Sequence, residues 1–201
     1  MISSTSPIVR GFLKIYDPLS GEVFVEKDNA IHYENMSIAM ANSLTNNGTG
    51  WIYEMAFGNG GSAVDPTGVI TYLPPNTTGQ NAGLYNQTYA KVVNQYSAAD
   101  QDPTNNYLTV LHNSGNVYTD IVTTCLLDYG EPAGQQAFDN STNFNGEYVF
   151  DELGLKVWNG SASDLLLITH VIFHPVQKSL NRQIQIDYTL RIQTLTNLSV
   201  A

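Results

Sequence analysis

The sequence predicts a mainly β protein, a β-sandwich or flattened barrel with one short helix and a long loop or arm region. Three observations carry that expectation. Between Arg182 and Thr194, the apolar set Ile184, Ile186, Tyr188, Leu190 and Ile192 alternates with Gln183, Gln185, Asp187, Thr189, Arg191 and Gln193. Such alternation marks a strand with one buried and one polar face. Short apolar runs bounded by Gly, Pro, Asn and Asp recur along the chain and read as about seven to ten strands. Only one stretch has helical spacing.

Taken in order, Gly11–Tyr16 and Glu22–Glu26 form a hairpin around Asp17-Pro-Leu-Ser-Gly21, where Pro and Gly supply the turn chemistry. Residues 30–44 are the helix, with Ile31, Ile38, Ala41 and Leu44 near one face and Asp28 or Asn29 as cap. Asn46-Asn-Gly-Thr-Gly50 ends it. Trp51–Phe57 follows as a strand with Trp51, Tyr53, Met55 and Phe57 on one face, broken by Gly58-Asn-Gly-Gly61. The chain is expected to be a single β-rich domain over 1–201, with an extended loop or arm insertion near 58–106. That insertion is dominated by Gly, Pro, Asn, Thr and Asp, with one strand near Tyr89–Gln95. A loop that long needs a function or a partner to order it. Tyr107–His112 and Asn116–Leu127 form a hairpin around Asn113-Ser-Gly115. Asp128–Asn145 is loop-like. Tyr148–Trp158 is a strand pair or a bulged strand with Gly154 at the break. Leu165–His174, ended by Pro175, and Arg182–Thr194 are expected to close the chain as a hairpin.

Composition narrows the function. The chain has 201 residues, 42% of them hydrophobic, enough to build a core. Charged residues make up only 13%, about half the usual ~25%. A polar but uncharged surface suits a protein buried against neighbours, because charge is depleted at interface cores; it also suits a turn-rich β protein. The net charge is −10. Arg10, Lys14, Lys27, Lys91, Lys156, Lys178, Arg182 and Arg191 are scattered, which argues against direct nucleic-acid binding and against an anionic membrane surface. Cys125, the single cysteine, rules out an internal disulfide and reads as a small hydrophobe in a strand. Met1–Pro7 lacks the charged and apolar regions of a signal peptide, so the chain is not expected to be secreted. Leu165–Ile168 is far too short to insert in a membrane. The sequons at Asn76, Asn86 and Asn140 carry no weight without a secretion signal.

No catalytic constellation emerges. His170 and His174 share one side of a strand, but no further metal ligands lie nearby. Asp65, Asp100 and Asp102 sit in turns and lack the EF-hand spacing. Gly58-Asn-Gly-Gly61 lacks the Lys-Ser/Thr of a phosphate loop. Asp151 and Glu152 are adjacent, and adjacent residues of a regular strand point to opposite faces. The expectation is a non-enzymatic protein with no cofactor and no metal. Tyr85, Tyr89, Tyr129 and His174 remain as candidate interface residues. The three tyrosines either anchor loops and fill interfaces or, in a carbohydrate-binding protein, stack on sugars.

Several segments together look familiar. They are Gly11-Phe-Leu-Lys-Ile-Tyr-Asp-Pro-Leu-Ser-Gly-Glu-Val, Asn29-Ala-Ile-His, Ile52-Tyr-Glu-Met-Ala-Phe-Gly-Asn-Gly-Gly61, Leu126-Leu-Asp-Tyr-Gly-Glu131, Glu152-Leu-Gly-Leu-Lys156, His170-Val-Ile-Phe-His-Pro-Val-Gln-Lys178 and Ile184-Gln-Ile-Asp-Tyr-Thr-Leu190. Their order resembles virion structural proteins of tailed bacteriophages, in particular cyanophage-like and other T4-like marine myophages. The resemblance spans most of the chain and contains no catalytic motif. It implies a tail, neck or baseplate part that assembles with copies of itself and with other virion proteins. It also implies synthesis in the bacterial cytoplasm and residence in the virion. A capsid decoration protein, or a fibre-associated receptor- or carbohydrate-binding β-sandwich, is the alternative.

Overall fold

A computed structural model describes residues 8–133 and 148–193. The chain runs through β1 (Ile8–Tyr16), β2 (Val23–Asp28), β3 (Ala30–Ile31), α1 (Tyr33–Leu44), β4 (Ile52–Gly58), β5 (Ser62–Val64), β6 (Ile70–Tyr72), β7 (Gln87–Val92), β8 (Tyr107–Leu111), β9 (Tyr118–Leu127), β10 (Val149–Ser161), β11 (Asp164–Leu167), β12 (Thr169–Gln177) and β13 (Ile184–Gln193). Part of the loop expected over Asp128–Asn145, the sequon at Asn140 and the final residue Thr194 of the expected last strand lie outside the described residues.

Two antiparallel sheets enclose one core. The first has the order β2-β1-β13-β9-β8 and the second β3-β12-β10-β4-β7, with β11 also on β10. Neither sheet closes on itself, so the architecture is sandwich-like rather than a barrel. Val9, Leu13 and Ile15 of β1, Ile184, Ile186, Tyr188 and Leu190 of β13, and Cys125 and Leu127 of β9 face inward from the first sheet. Met55 and Phe57 of β4, Leu153, Leu155 and Val157 of β10, and Val171 and Phe173 of β12 meet them from the second. Burial pushes the Cys125 thiol up to about 12, so it packs as an uncharged small side chain. The alternation expected in the last strand is present in β13. α1 sits on its own chain, with Met36 and Ala39 in the core. Among the described residues no helix is long and apolar enough to cross a membrane.

Five local expectations are corrected. The last two strands are not a hairpin: β13 pairs with β1 and β9, while β12 pairs with β10 and β3 in the other sheet. Alternation defines a strand's faces and leaves its partner open. Pro175 does not end β12. It lies where the register against β10 shifts, between Ile172 and Val176, a bulge that needs no donor from it. The helix begins at Tyr33, later than expected, because Ala30-Ile31 is drawn into β3. Its cap is His32, whose Nδ1 accepts the Asn35 N–H at 3.2 Å, and Leu44 ends in solvent. Gly154 does not break β10. The strand runs through it, and glycine is required because a Cβ would lie 2.5 Å from the Thr169 carbonyl oxygen. Finally, Trp51 and Tyr53 do not share a face with Met55 and Phe57. Lys156 pairs with Glu54 but Val157 pairs with Ile52, so Tyr53 is an extra residue that turns the start of the strand over.

The insertion at 58–106 contributes the β5–β6 hairpin and the edge strand β7, where one strand was expected.

Ile186 is only 1% exposed at the centre of the first sheet. Ile186→Asp is expected to lower unfolding stability by at least about 4 kcal/mol, because it buries an unpaired charge. Urea denaturation followed by circular dichroism checks this.

Candidate functional site

The side chains with the most chemistry gather on the outer side of the second sheet. β10 pairs Phe150 with Val176 but Glu152 with Ile172, so the register slips around Asp151. Three residues of β12 face Asp151 alone there, and Asp151 and Glu152 both reach residues 60–62, against the expectation for a regular strand. Asp151 accepts the Gly61 N–H (2.9 Å), the Ser62 N–H (2.8 Å) and the Ser62 hydroxyl (2.5 Å). Glu152 accepts the N–H groups of Gly60 (3.0 Å), Tyr85 (2.9 Å) and Asn86 (2.8 Å) and the His170 ring at 2.9 Å. His170 Nδ1 accepts the Asn76 N–H at 2.7 Å, so in the neutral ring Nε2 carries the proton and donates to Glu152.

Burial alone would raise the Glu152 pKa. His170 and the backbone donors overcome it and hold the carboxylate below its ordinary range. Its stabilising contribution is therefore present at neutral pH and is lost as pH falls through the depressed value. Asp151 is raised by burial; the Ser62 and Gly61 bonds oppose that, and the Glu152 charge reinforces it. Glu152 and His170 are fully buried and Asp151 nearly so. Both ring nitrogens of His170 are engaged, so the pair has no nitrogen left to act on a substrate. The Gly58–Gly61 run is a contact surface for these carboxylates: a Cβ on Gly58 would lie 2.5 Å from a Glu152 carboxylate oxygen. The same outer segment is fastened again by His32 Nε2 on the Gly79 carbonyl (2.9 Å) and by Asn35 Nδ2 on the Gln80 carbonyl (3.1 Å).

The four expected interface residues do not form one surface. Tyr85 is partly exposed; its hydroxyl donates to the Pro74 carbonyl at 2.7 Å and its ring lies against His170. His174 is exposed and shares a 3.1 Å hydrogen bond with the Tyr72 hydroxyl, so both histidines of β12 do meet the 58–86 segment. Tyr89 packs its ring on Phe57 of the core, and burial raises its hydroxyl pKa. Tyr129 lies elsewhere, its carbonyl 3.4 Å from Lys178 Nζ. Lys178 is buried, also donates to the Ser179 carbonyl (3.0 Å), and has its pKa lowered to about 8 by burial against the pull of Asp128 and Glu131. Among the described residues no three His, Cys, Asp or Glu side chains gather as a metal site.

One uncharged apolar patch is exposed at an edge of the first sheet. β2, at one edge, is fringed by Glu22, Glu26, Lys27 and Asp28, which discourage pairing. β8, at the other edge, reads Tyr107-Leu-Thr-Val-Leu111 without a charge, and its tip exposes Val110 (67%), Leu111 (52%) and Val117 (38%). The Gln95 amide caps part of that edge, donating to the Leu108 carbonyl (3.0 Å) and accepting its N–H (2.8 Å). By the alternation of antiparallel pairing, Val110 also turns its backbone groups outward, beyond the cap. Sequence reading missed this patch because Val110 and Leu111 look like core residues until one edge is seen to lack a neighbour.

No protein-family model matches the chain, and neither a curated protein nor a solved structure matches it.

Glu152→Ala removes the acceptor of four donors. It is expected to cost about 3 kcal/mol or more in chemical denaturation. Lys178 has a folded pKa of about 8 against an ordinary 10.5. Between those values the unfolded chain holds more protons, so stability from this group rises with pH. Lys178→Met is expected to be more stable near neutrality and to lose that rise, as read from urea midpoints of both proteins across the window.

Proposed function

We propose that the chain is a non-enzymatic structural protein of a tailed-bacteriophage virion, set in the tail, neck or baseplate region by contacts with copies of itself and with other virion proteins. The observation that carries the assembly reading is the contrast between the two edges of the first sheet. One is guarded by charge and the other is apolar, uncharged and open at Val110 and Leu111. An edge of this kind is a liability in a free monomer and an asset in a subunit that meets a neighbour. The arrangement of the polar groups supports the same reading, since Asp151, Glu152 and His170 are buried and hold backbone in place. The placement in a phage particle rests on the sequence resemblance. The net charge of −10 favours protein neighbours over nucleic acid.

Light scattering on the purified chain, alone and mixed with other virion proteins, tests this. The expected result is a defined oligomer or a stable complex. Val110→Lys and Leu111→Lys are expected to reduce the assembled fraction while leaving the melting temperature within about 2 °C, since both side chains are already in solvent. A chain that stays monomeric and captures no virion protein overturns the proposal.

A further inference from the structure

We propose that an aromatic cleft at the end of the second sheet binds a neutral saccharide, a role independent of the assembly edge. Trp51 and Trp158 are cross-strand neighbours. The Trp158 N–H donates to the Trp51 carbonyl at 2.9 Å, and the Gly50 N–H donates to the Trp158 carbonyl at 2.8 Å. Their indoles are stacked, with centroids 6.2 Å apart and planes 11° from parallel. The extra residue in β4 brings Tyr53 to the same side, its ring 4.9 Å from Trp158. The fourth ring arrives on a turn after β7. Asn94, buried to 6% exposure, donates to the Ile52 carbonyl at 2.7 Å and accepts the Tyr96 N–H at 3.0 Å. The Ser97 N–H closes that turn on the Asn94 carbonyl at 2.9 Å. These residues line a cleft of about 400 Å³, within the range of small-molecule sites.

Packing does not account for the cleft. Tyr96 is 87% exposed and Trp51 39%, so two large rings stand in water beside two that are mostly covered. Flat aromatic faces take the C–H face of a pyranose, while indole N–H and phenol O–H groups answer its hydroxyls. The lining residues are Trp51, Tyr53, Asn94, Tyr96, Ser97 and Trp158, none of them charged. Aromatic clefts that hold single-stranded nucleic acid add cations along the backbone path, and none lines this one. The same lack of cations selects against acidic sugars. The turn that presents Tyr96 is fixed by a buried amide, so the platform is formed before any ligand arrives.

Trp51 and Trp158 are the only tryptophans, so tryptophan emission, excited selectively over tyrosine, reports on this site alone. The full chain is titrated with cellohexaose, maltohexaose and chitohexaose, and with polygalacturonate and oligothymidylate as charged comparators. The expected result is a saturable emission change with at least one neutral oligosaccharide. Tyr96→Ala, on an exposed ring, is expected to keep the melting temperature and weaken binding at least about tenfold. Trp51→Ala, followed by calorimetry, is expected to do the same. No response to any neutral oligosaccharide overturns the proposal, as does a response to the charged polymers alone or binding that Tyr96→Ala leaves intact.

Discussion

The carboxylate of Glu152 sits with no solvent exposure among three backbone N–H groups and an imidazole. A carboxylate in that position without partners would cost far more than a domain's net stability. With four donors it becomes the point that fixes the outer segment to the second sheet. Gly60 lies on one side of it and Tyr85-Asn86 on the other, so one side chain clamps both ends of the loop between them. Asp151 repeats the arrangement one residue earlier on Gly61 and Ser62. The two ends of the excursion from β4 to β7 are thereby held by two adjacent acids, while His170, His32 and Asn35 hold its middle.

That clamp explains why the two sheets look different in sequence. β1 and β13 alternate buried and open positions, because one face of the first sheet meets the core and the other meets water. β4 and the first half of β10 are buried almost without interruption. Their second face lies under the clamped segment, so apolar residues and satisfied polar ones occupy both sides. The glycines at 58, 60 and 61 belong to the same constraint. Backbone that must approach two carboxylates and the Ile172 side chain leaves no room for a Cβ.

Much of the fold was legible because strand periodicity depends on burial alone. The first hairpin, the hairpin of β8 and β9, the helix and the inner face of β13 follow from spacing and turn residues. What stayed hidden depends on contacts between distant segments. Nothing in the alternation of β13 says that it sits between β1 and β9, and adjacency in sequence points instead to a closing hairpin that the fold does not contain. Two slips in register, of two residues at Asp151 and one at Tyr53, were also invisible. The one at Asp151 aligns a pair of acids that a regular strand would separate. The one at Tyr53 separates Trp51 and Tyr53 from the core-facing Met55 and Phe57. The tyrosines singled out in the sequence, Tyr85, Tyr89 and Tyr129, sit in loop-like composition, yet Tyr96 is the more exposed residue, and Trp158, which lines the same cleft, comes from a strand more than sixty residues further along the chain.

The turn at Asn94-Gln95-Tyr96 ties the two surfaces together. Asn94 anchors it to β4 and accepts the Tyr96 N–H beside the aromatic cleft, while Gln95, pointing the other way, lays its amide along the edge of β8. Consecutive residues thus serve opposite sheets. The cap that leaves only the Val110 end of β8 open is made by the same backbone that holds the fourth ring of the cleft. Removing the anchoring amide of Asn94 would loosen both, whereas truncating Tyr96 at its exposed ring leaves the Gln95 cap unchanged. The turn is thus held from both sides by its own side chains, Asn94 on the Ile52 carbonyl and Gln95 on the Leu108 backbone.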